Sequence, residues 1–241
     1  MVNMPALILK PSCARQISYL GPILIHLKEM KISCNTLHQK IKLTAMICLF
    51  AVTGSFAQSP PAMHWFNEPA KWTGNAAKLT FTVDPGTDYW QVTHYGFKRD
   101  NGPFYYQEMD GDFEASVKVS GSYRELFHQA GLMVRIDEKN WIKTGIEFVD
   151  GVQNISAVVT REVSDWSVVP RHNSPESVWL KLLRKGDYVE IKYSFDGQKF
   201  DMLRLAYFPP GKKVQIGMVA AAPGKQSFPV TFENFKVEAV K

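Results

Sequence analysis

Two neighbouring stretches of the chain, 128–136 and 141–149, alternate aliphatic residues with polar and aromatic ones. In an extended strand, successive side chains point to opposite faces, so residues of one parity share a face. The core-forming parity consists of Leu132, Val134, Ile136, Ile142, Ile146 and Phe148. The opposite parity presents a mixed aromatic and charged set, namely Gln129, Met133, Arg135, Trp141, Lys143 and Glu147.

This mixed set has the composition of a carbohydrate-binding surface. The indole ring of Trp141 offers a flat apolar platform to the C–H face of a sugar, while amide and charged groups hydrogen-bond its hydroxyls or a uronate carboxylate. Further aromatic and polar residues extend the surface, two of them from a predicted loop at 165–167. The expected ligand-binding residues are Trp90, His94, Tyr95, Gln129, Arg135, Trp141, Lys143, Glu147, Asp165 and Trp166.

The same residues also allow a purely structural interpretation. Lys143 and Glu147 could form an exposed ion pair, which contributes little to stability. Arg135 could pair with Glu147, and Trp141 could lie beneath a loop. Both interpretations remain open at this stage.

Glu147 is the candidate catalytic residue. Glycoside hydrolysis uses two carboxyl groups about 5–9.5 Å apart. Asp150 follows Glu147 by three residues, so an extended strand would point the two carboxyls to opposite faces. Glu162 and Asp165 are also three residues apart, so their carboxyls would likewise point to opposite faces. A carboxyl from another strand is not excluded as the partner of Glu147. The sequence therefore favours a non-catalytic binding module, with a glycosidase or polysaccharide lyase using Glu147 as the alternative.

Other chemistries find less support. The chain lacks a Gly-x-Ser-x-Gly nucleophile elbow. Gln129, Arg135, His94 and Tyr95 are residue types that lyases use, but their spacing matches no lyase motif. The histidines lack metal-ligand spacing, so neither a metal nor a cofactor is expected. His128 shares the parity of Leu132, which predicts a buried, hydrogen-bonded ring.

The elements that must position these residues are short strands. Period-two alternation recurs about every ten residues, and Gly, Asn, Asp or Pro separates the segments, as at Asp150, Gly151 and Gly197. No window shows an apolar stripe at helical spacing. Many short strands with regular turns predict an all-β sandwich or barrel, in which Trp65, Trp72 and Trp179 serve packing.

Residues 1–57 have the parts of a leader that contains a signal peptide. A basic stretch precedes the apolar run 43–52, and small residues then lead to Ala57, after which cleavage is expected. The apolar run is shorter than the ~20 residues that span a bilayer, so no stable membrane anchor is expected after cleavage. Met30 begins a conventional signal sequence and is the expected true start. One domain, 58–241, would then be periplasmic or secreted.

The charge and the cysteine content limit which partners, disulfides and metal sites can be expected. The chain carries 28 Lys and Arg against 23 Asp and Glu, a net charge of +5. All of this excess lies within residues 1–57, so the remaining chain is neutral and gives no electrostatic case for nucleic acid as a partner. Cys13, Cys34 and Cys48 precede Ala57, so disulfides and thiolate metal sites are not expected in the mature domain.

Several segments resemble the DUF1349 family. They read DYW at 88–90, THYG at 93–96, GDFE at 111–114, QAGLMVR at 129–135, WIKTGIE at 141–147, SDWS at 164–167 and SFDG at 194–197. The resemblance spans about residues 64–238 and implies a concanavalin A-like jelly roll of two packed antiparallel sheets. His128 departs from the pattern, which has Asp before QAGLM. A yeast family member is named for a regulatory role, so a protein-interaction module is a further alternative.

Overall fold

The structure is a computed structural model that describes residues 62–240. The predicted leader, its start at Met30 and its cleavage after Ala57 lie outside the described residues. The described chain forms sixteen strands: β1 (His64–Phe66), β2 (Trp72–Gly74), β3 (Lys78–Val83), β4 (Tyr89–Gln91), β5 (Lys98–Asp100), β6 (Phe104–Met109), β7 (Phe113–Gly121), β8 (Gln129–Asp137), β9 (Asn140–Val149), β10 (Val152–Arg161), β11 (Val163–Arg171), β12 (Val178–Lys185), β13 (Tyr188–Ser194), β14 (Asp201–Tyr207), β15 (Val214–Ala221) and β16 (Phe228–Ala239).

Fourteen of these strands form two seven-stranded antiparallel sheets. The first sheet has the order β1-β6-β15-β8-β9-β10-β11, and the second has the order β14-β13-β12-β7-β16-β3-β2. Their facing sides share one hydrophobic core, which includes Leu132, Val134 and Ile142 from the first sheet and Leu180 and Phe232 from the second. Burial of alternate apolar residues stabilises both sheets at once. The predicted all-β sandwich is confirmed.

Strands β4 and β5 form a separate two-stranded hairpin that covers part of the outer face of the first sheet. Beneath it lies a second hydrophobic cluster, whose members are Tyr89, Trp90, Phe104, Met133, Trp141, Val158 and Val219. The backbone N–H of Gln91 donates to Ser164 Oγ (2.9 Å), and the Gln91 amide donates to the Glu138 carbonyl (3.1 Å). The hairpin is therefore fixed against part of the outer face.

The turn between β9 and β10 sets the register of the outer face. Asp150 and Gly151 both adopt left-handed backbone (φ 52° and 77°), as a two-residue hairpin turn requires. The resulting register places Asn154 opposite Glu147. Residues 165–167 belong to the edge strand β11, in which they pair with β10 throughout, so the predicted loop at these positions is wrong. No helix long and apolar enough to cross a membrane occurs between residues 62 and 240.

Candidate functional site

A pocket of about 290 Å³ opens on the outer face of the first sheet, beside the β4–β5 hairpin. Strands β8, β9 and β11 contribute to its lining, together with the β4–β5 hairpin and the segments that precede β4, precede β8 and follow β15. Its lining residues are Gly86, Asp88, Trp90, Tyr95, Phe97, Arg99, Phe127, Gln129, Lys143, Glu147, Trp166 and Pro223. This pocket combines a concave shape with aromatic walls and convergent polar groups, which is the usual form of a small-molecule site.

Glu147 lies in the floor and is held in one orientation. Its Oε2 atom accepts hydrogen bonds from Ser156 Oγ (2.6 Å) and Trp166 Nε1 (2.9 Å). The side chain is only 6% exposed. Burial raises the pKa of Glu147 above its usual range, against the opposing effects of Lys143 and the two hydrogen-bond donors. No described residue donates to Oε1, so this oxygen is the one left for a ligand.

Lys143 lies beside Glu147 and carries a buried positive charge. Its Nζ donates to the Tyr89 carbonyl (3.1 Å) and to Gln129 Oε1. Within the described chain, no carboxylate oxygen lies within 4.0 Å of it. An ammonium group has three N–H donors, so one donor remains for a ligand or a water molecule.

Asp88 brings a second carboxyl to the pocket, from the segment just before β4. Its Oδ1 accepts the backbone N–H of Tyr89 (2.7 Å) and lies 3.4 Å from the amide nitrogen of Gln129. Burial raises the pKa of Asp88, while the positive charges of Lys143 and Arg99 oppose the rise. The negative charge of Asp88 in turn raises the pKa of Glu147. The two carboxyls thus interact across one cavity.

Aromatic rings form an arc around the mouth of the pocket. The ring of Tyr95 lies edge-on to Trp90 (5.6 Å between centroids) and to Phe127 (6.2 Å), and Phe127 lies edge-on to Trp166 (6.2 Å). Tyr95 also stacks on Phe97 at 5.7 Å. Tyr95 is 43% exposed, so a ring face remains available to a ligand. Such contacts between flat rings and C–H groups are favourable because both surfaces are apolar.

The hairpin tip that carries Tyr95 is conformationally strained. Val92 (φ 62°) and His94 (φ 64°) each lie at the centre of a three-residue turn closed by a hydrogen bond, from Thr93 N to Gln91 O (2.8 Å) and from Tyr95 N to Thr93 O (2.7 Å). This is the pattern of the rare γ-turn with positive φ, and it is unfavourable for a β-branched residue. Trp90 Nε1 holds the tip by donating to the Thr93 carbonyl (2.8 Å).

Two glycines allow the backbones of β8 and β9 to approach closely. Gly131 and Gly145 are register partners on β8 and β9. A Cβ atom added to Gly145 would come within 2.0 Å of the Ala130 carbonyl oxygen, so the backbones approach too closely for any side chain. A void of about 20 Å³ lies against these glycines, which is room for one water molecule.

The structure brings six of the ten expected ligand-binding residues together in this pocket, namely Trp90, Tyr95, Gln129, Lys143, Glu147 and Trp166. Lys143 and Glu147 do share one face, as parity predicts. They do not form the exposed ion pair of the structural interpretation, because both side chains are buried and no salt bridge joins them. His128 is buried and its Nε2 donates to the Gln226 carbonyl (2.9 Å), which confirms the buried, hydrogen-bonded ring that parity predicts.

The other four residues lie elsewhere. Trp141 is on the predicted face, but the hairpin covers it completely (0% exposed), so it offers no platform to a sugar. Its Nε1 donates to the Glu138 carbonyl (3.1 Å). Trp141 is therefore a packing residue, which corrects the expectation that it stacks on a ligand.

Arg135, Asp165 and His94 are also corrected. Arg135 pairs with Asp100 (2.6 Å) rather than Glu147 and lies under Phe66, outside the pocket lining. Asp165 points away from its neighbour Trp166, because adjacent residues of a strand face opposite sides, and it pairs with Arg204 (2.9 Å). His94 is exposed on the hairpin tip and contacts Tyr95, not the cavity.

Four charged or aromatic lining residues were not among the expected ones: Asp88, Phe97, Arg99 and Phe127. Asp88 begins the DYW segment, so its place in a family motif was a usable signal. Phe127 has a left-handed backbone (φ 65°), which is uncommon for a bulky residue and which no sequence pattern reveals. No cluster of His, Cys, Asp or Glu able to hold a metal ion occurs in the part of the chain that the structure describes.

The sequence profile of a family described as "Protein of unknown function (DUF1349)" matches residues 65–240. The chain belongs to the DUF1349 family. This DUF1349 domain is similar to Regulation of enolase protein 1 of Saccharomyces cerevisiae, with 38% identity over 175 residues that cover 73% of this chain and 88% of the yeast protein.

Solved structures agree on the fold of the DUF1349 domain. A functionally unknown protein from Saccharomyces cerevisiae matches with a TM-score of 0.72 at 37% identity, covering 74% of this chain and 97% of that one. A xylan β-1,4-xylosidase from Bacillus halodurans matches with a TM-score of 0.56 at 10% identity, covering 75% of this chain and 40% of the xylosidase. The second likeness shows the fold alone. The predicted concanavalin A-like jelly roll is confirmed.

Proposed function

We propose that this domain binds a saccharide and encloses one sugar unit in the pocket beside the hairpin. The observation that carries the proposal is the combination of aromatic walls with a buried polar floor in one cavity of about 290 Å³. Ligand pockets usually measure about 300–1,000 Å³. A cavity at the lower limit encloses one unit of an oligosaccharide rather than a long stretch of polymer.

The polar floor suits neighbouring hydroxyl groups of a sugar. Each hydroxyl both donates and accepts a hydrogen bond. Lys143 has one N–H left after its bonds to Tyr89 and Gln129, while Glu147 Oε1 and Asp88 Oδ2 receive no hydrogen bond from the described residues. A free donor flanked by two free acceptors therefore matches a vicinal diol.

The aromatic wall suits the other side of the same sugar. The Trp166 indole is fixed through its Nε1 bonds to Glu147 and Ser156 (3.2 Å), so its ring loses little freedom when a ligand binds. Tyr95 and Phe97 are partly exposed at the mouth and can contact a second unit. Arg99, also at the mouth, supplies a guanidinium group for hydroxyls or a uronate carboxylate.

Calorimetric titration against pentoses, hexoses, hexuronic acids and their disaccharides tests the proposal. We expect at least one sugar to bind with one site per chain, and Trp166→Ala to weaken it at least tenfold, about 1.4 kcal/mol. The matched control is Trp72→Ala, since Trp72 is partly exposed on the other sheet. Absence of binding across the panel, or equal losses in the two variants, contradicts the proposal.

We also propose that the domain works after export from the cytoplasm. The support is the signal-peptide pattern of residues 1–57, which ends in small residues at Ala57. Expression of the full chain with amino-terminal sequencing of the exported product tests this. Export should give Gln58 as the first residue, whereas an uncleaved protein retained in the cytoplasm would contradict it.

A further inference from the structure

Two carboxyl groups reach the pocket from different elements of the fold. Glu147 rises from β9 in the floor, whereas Asp88 enters from the segment that leads into the covering hairpin. Each has one oxygen fixed by protein donors, Glu147 Oε2 by Ser156 and Trp166, and Asp88 Oδ1 by the Tyr89 backbone. Each therefore presents its other oxygen, Oε1 or Oδ2, in a set direction.

Lys143 connects the two carboxyls electrostatically. It donates to Gln129 Oε1, and the amide nitrogen of Gln129 lies 3.4 Å from Asp88 Oδ1. The positive charge of Lys143 lowers the pKa of both carboxyls without contacting either one directly. The amide of Gln129 thus orients Asp88, and Lys143 orients the amide.

The two carboxyls differ in the charged groups that lie beside each one. Burial raises the pKa of both carboxyls and Lys143 lowers both, whereas Arg99 lowers the pKa of Asp88 alone. Burial and the neighbouring negative charge of Asp88 both raise the pKa of Glu147. Pairs of carboxyls whose environments divide them in this way serve as acid and base in enzymes.

We propose that the pocket hydrolyses the glycosidic bond of an oligosaccharide or aryl glycoside, with Glu147 as the proton donor and Asp88 as the base. This activity rests on the proposed saccharide binding. Asp88 takes a proton from a water molecule, whose oxygen bonds to the anomeric carbon while the bond from that carbon to the glycosidic oxygen breaks. Glu147 protonates the departing oxygen, and exchange with solvent restores both groups.

Paired substrates with different leaving groups test these roles. The probes are 4-nitrophenyl glycosides of pentoses, hexoses and hexuronic acids and the corresponding disaccharides, incubated with the full protein. We expect Glu147→Gln to slow disaccharide hydrolysis by about 10²–10⁴-fold. It should slow release of 4-nitrophenol much less, because that leaving group departs without protonation. Asp88→Asn should slow both substrates equally, and added azide should restore its rate, because an anionic nucleophile needs no base.

Glu162→Gln is the control, since Glu162 is exposed and pairs with Lys139 outside the pocket. Circular dichroism melting shows whether each variant is folded. A sugar that binds in calorimetry but gives no product overturns the catalytic proposal and leaves saccharide binding intact. Absence of both binding and product overturns saccharide binding as well. Product formation that Glu147→Gln slows equally for both leaving groups overturns the assignment of Glu147 as the proton donor.

Discussion

Replacing Trp141 by alanine separates the packing role of this residue from the binding role that its sequence position indicates. The ring is completely buried in the cluster beneath the hairpin and lies edge-on to Tyr89 (6.0 Å between centroids). Its Nε1 donates to the Glu138 carbonyl (3.1 Å), which joins the cluster to the β8–β9 turn. The substitution removes all of these contacts and leaves a cavity under the hairpin.

The expected magnitude follows from this burial. Truncation of a buried Trp or Phe to Ala costs about 3–5 kcal/mol of unfolding free energy. For a domain of this size, 1 kcal/mol lowers the melting temperature by about 2–4 °C. Trp141→Ala should therefore lower the melting temperature by about 6–20 °C. Trp166→Ala should lower it much less, because the Trp166 ring is only partly buried.

Scanning calorimetry of wild type, Trp141→Ala and Trp166→Ala gives the three melting temperatures, and sugar titration well below them gives the affinities. We expect Trp141→Ala to lose stability and keep most of its affinity, and Trp166→Ala to show the reverse. If Trp141→Ala melts within about 2 °C of wild type but no longer binds sugar, Trp141 faces the ligand and the described packing is refuted.

Four further predictions concern the pocket and its surroundings. Trp166→Phe removes a hydrogen-bond donor to the Glu147 carboxylate and should raise the pKa of Glu147 further, which carbon NMR titration measures. Burial raises the Glu147 pKa above its ordinary 4.5, so the contribution of this carboxyl to stability is fully present below pH 4.5 and is lost as the pH rises through the pKa of the folded protein. Glu147→Gln should therefore gain stability relative to wild type as the pH rises above 4.5 in denaturant unfolding, and a difference that stays constant with pH would contradict the raised pKa. Asp165→Asn should leave sugar affinity unchanged in calorimetry, because Asp165 points away from the pocket; a loss comparable to that of Trp166→Ala would place it in the site. Gly145→Ala forces a Cβ against the Ala130 carbonyl and should cost about 1–3 kcal/mol in denaturant unfolding, whereas an unchanged midpoint would refute the close backbone approach.

The position of the hairpin explains why two residues of the predicted face, Arg135 and Trp141, do not line the pocket. Arg135 and Trp141 have the parity of Lys143 and Glu147, and all four lie on the outer face of the first sheet. The hairpin then divides that face, because Tyr89 and Trp90 pack on Met133 and Trp141 at one end and stop short of Glu147. Which residues bind a ligand and which pack is thus decided by a contact between distant parts of the chain.

The place of the second carboxyl, Asp88, also depends on packing between distant parts of the chain. Parity along β9 correctly excludes Asp150, which lies in the turn after the strand. Asp88 lies 59 positions before Glu147 in the chain, and the β4–β5 hairpin must fold over the sheet before the two can meet. A search for paired carboxyls along one strand does not find such a pair.

Local sequence determined the strands, the turns and the face of each side chain, because the two-residue period of a strand and the backbone preferences of Gly and Asp act between near neighbours. The segments that resemble the DUF1349 family predicted the jelly-roll fold. Only the tertiary structure decided that Trp141 is buried, that Asp165 turns away from the pocket and that Asp88 joins Glu147. These outcomes depend on where the hairpin and edge strand pack, and packing between distant segments is set by the shape and burial of the whole core.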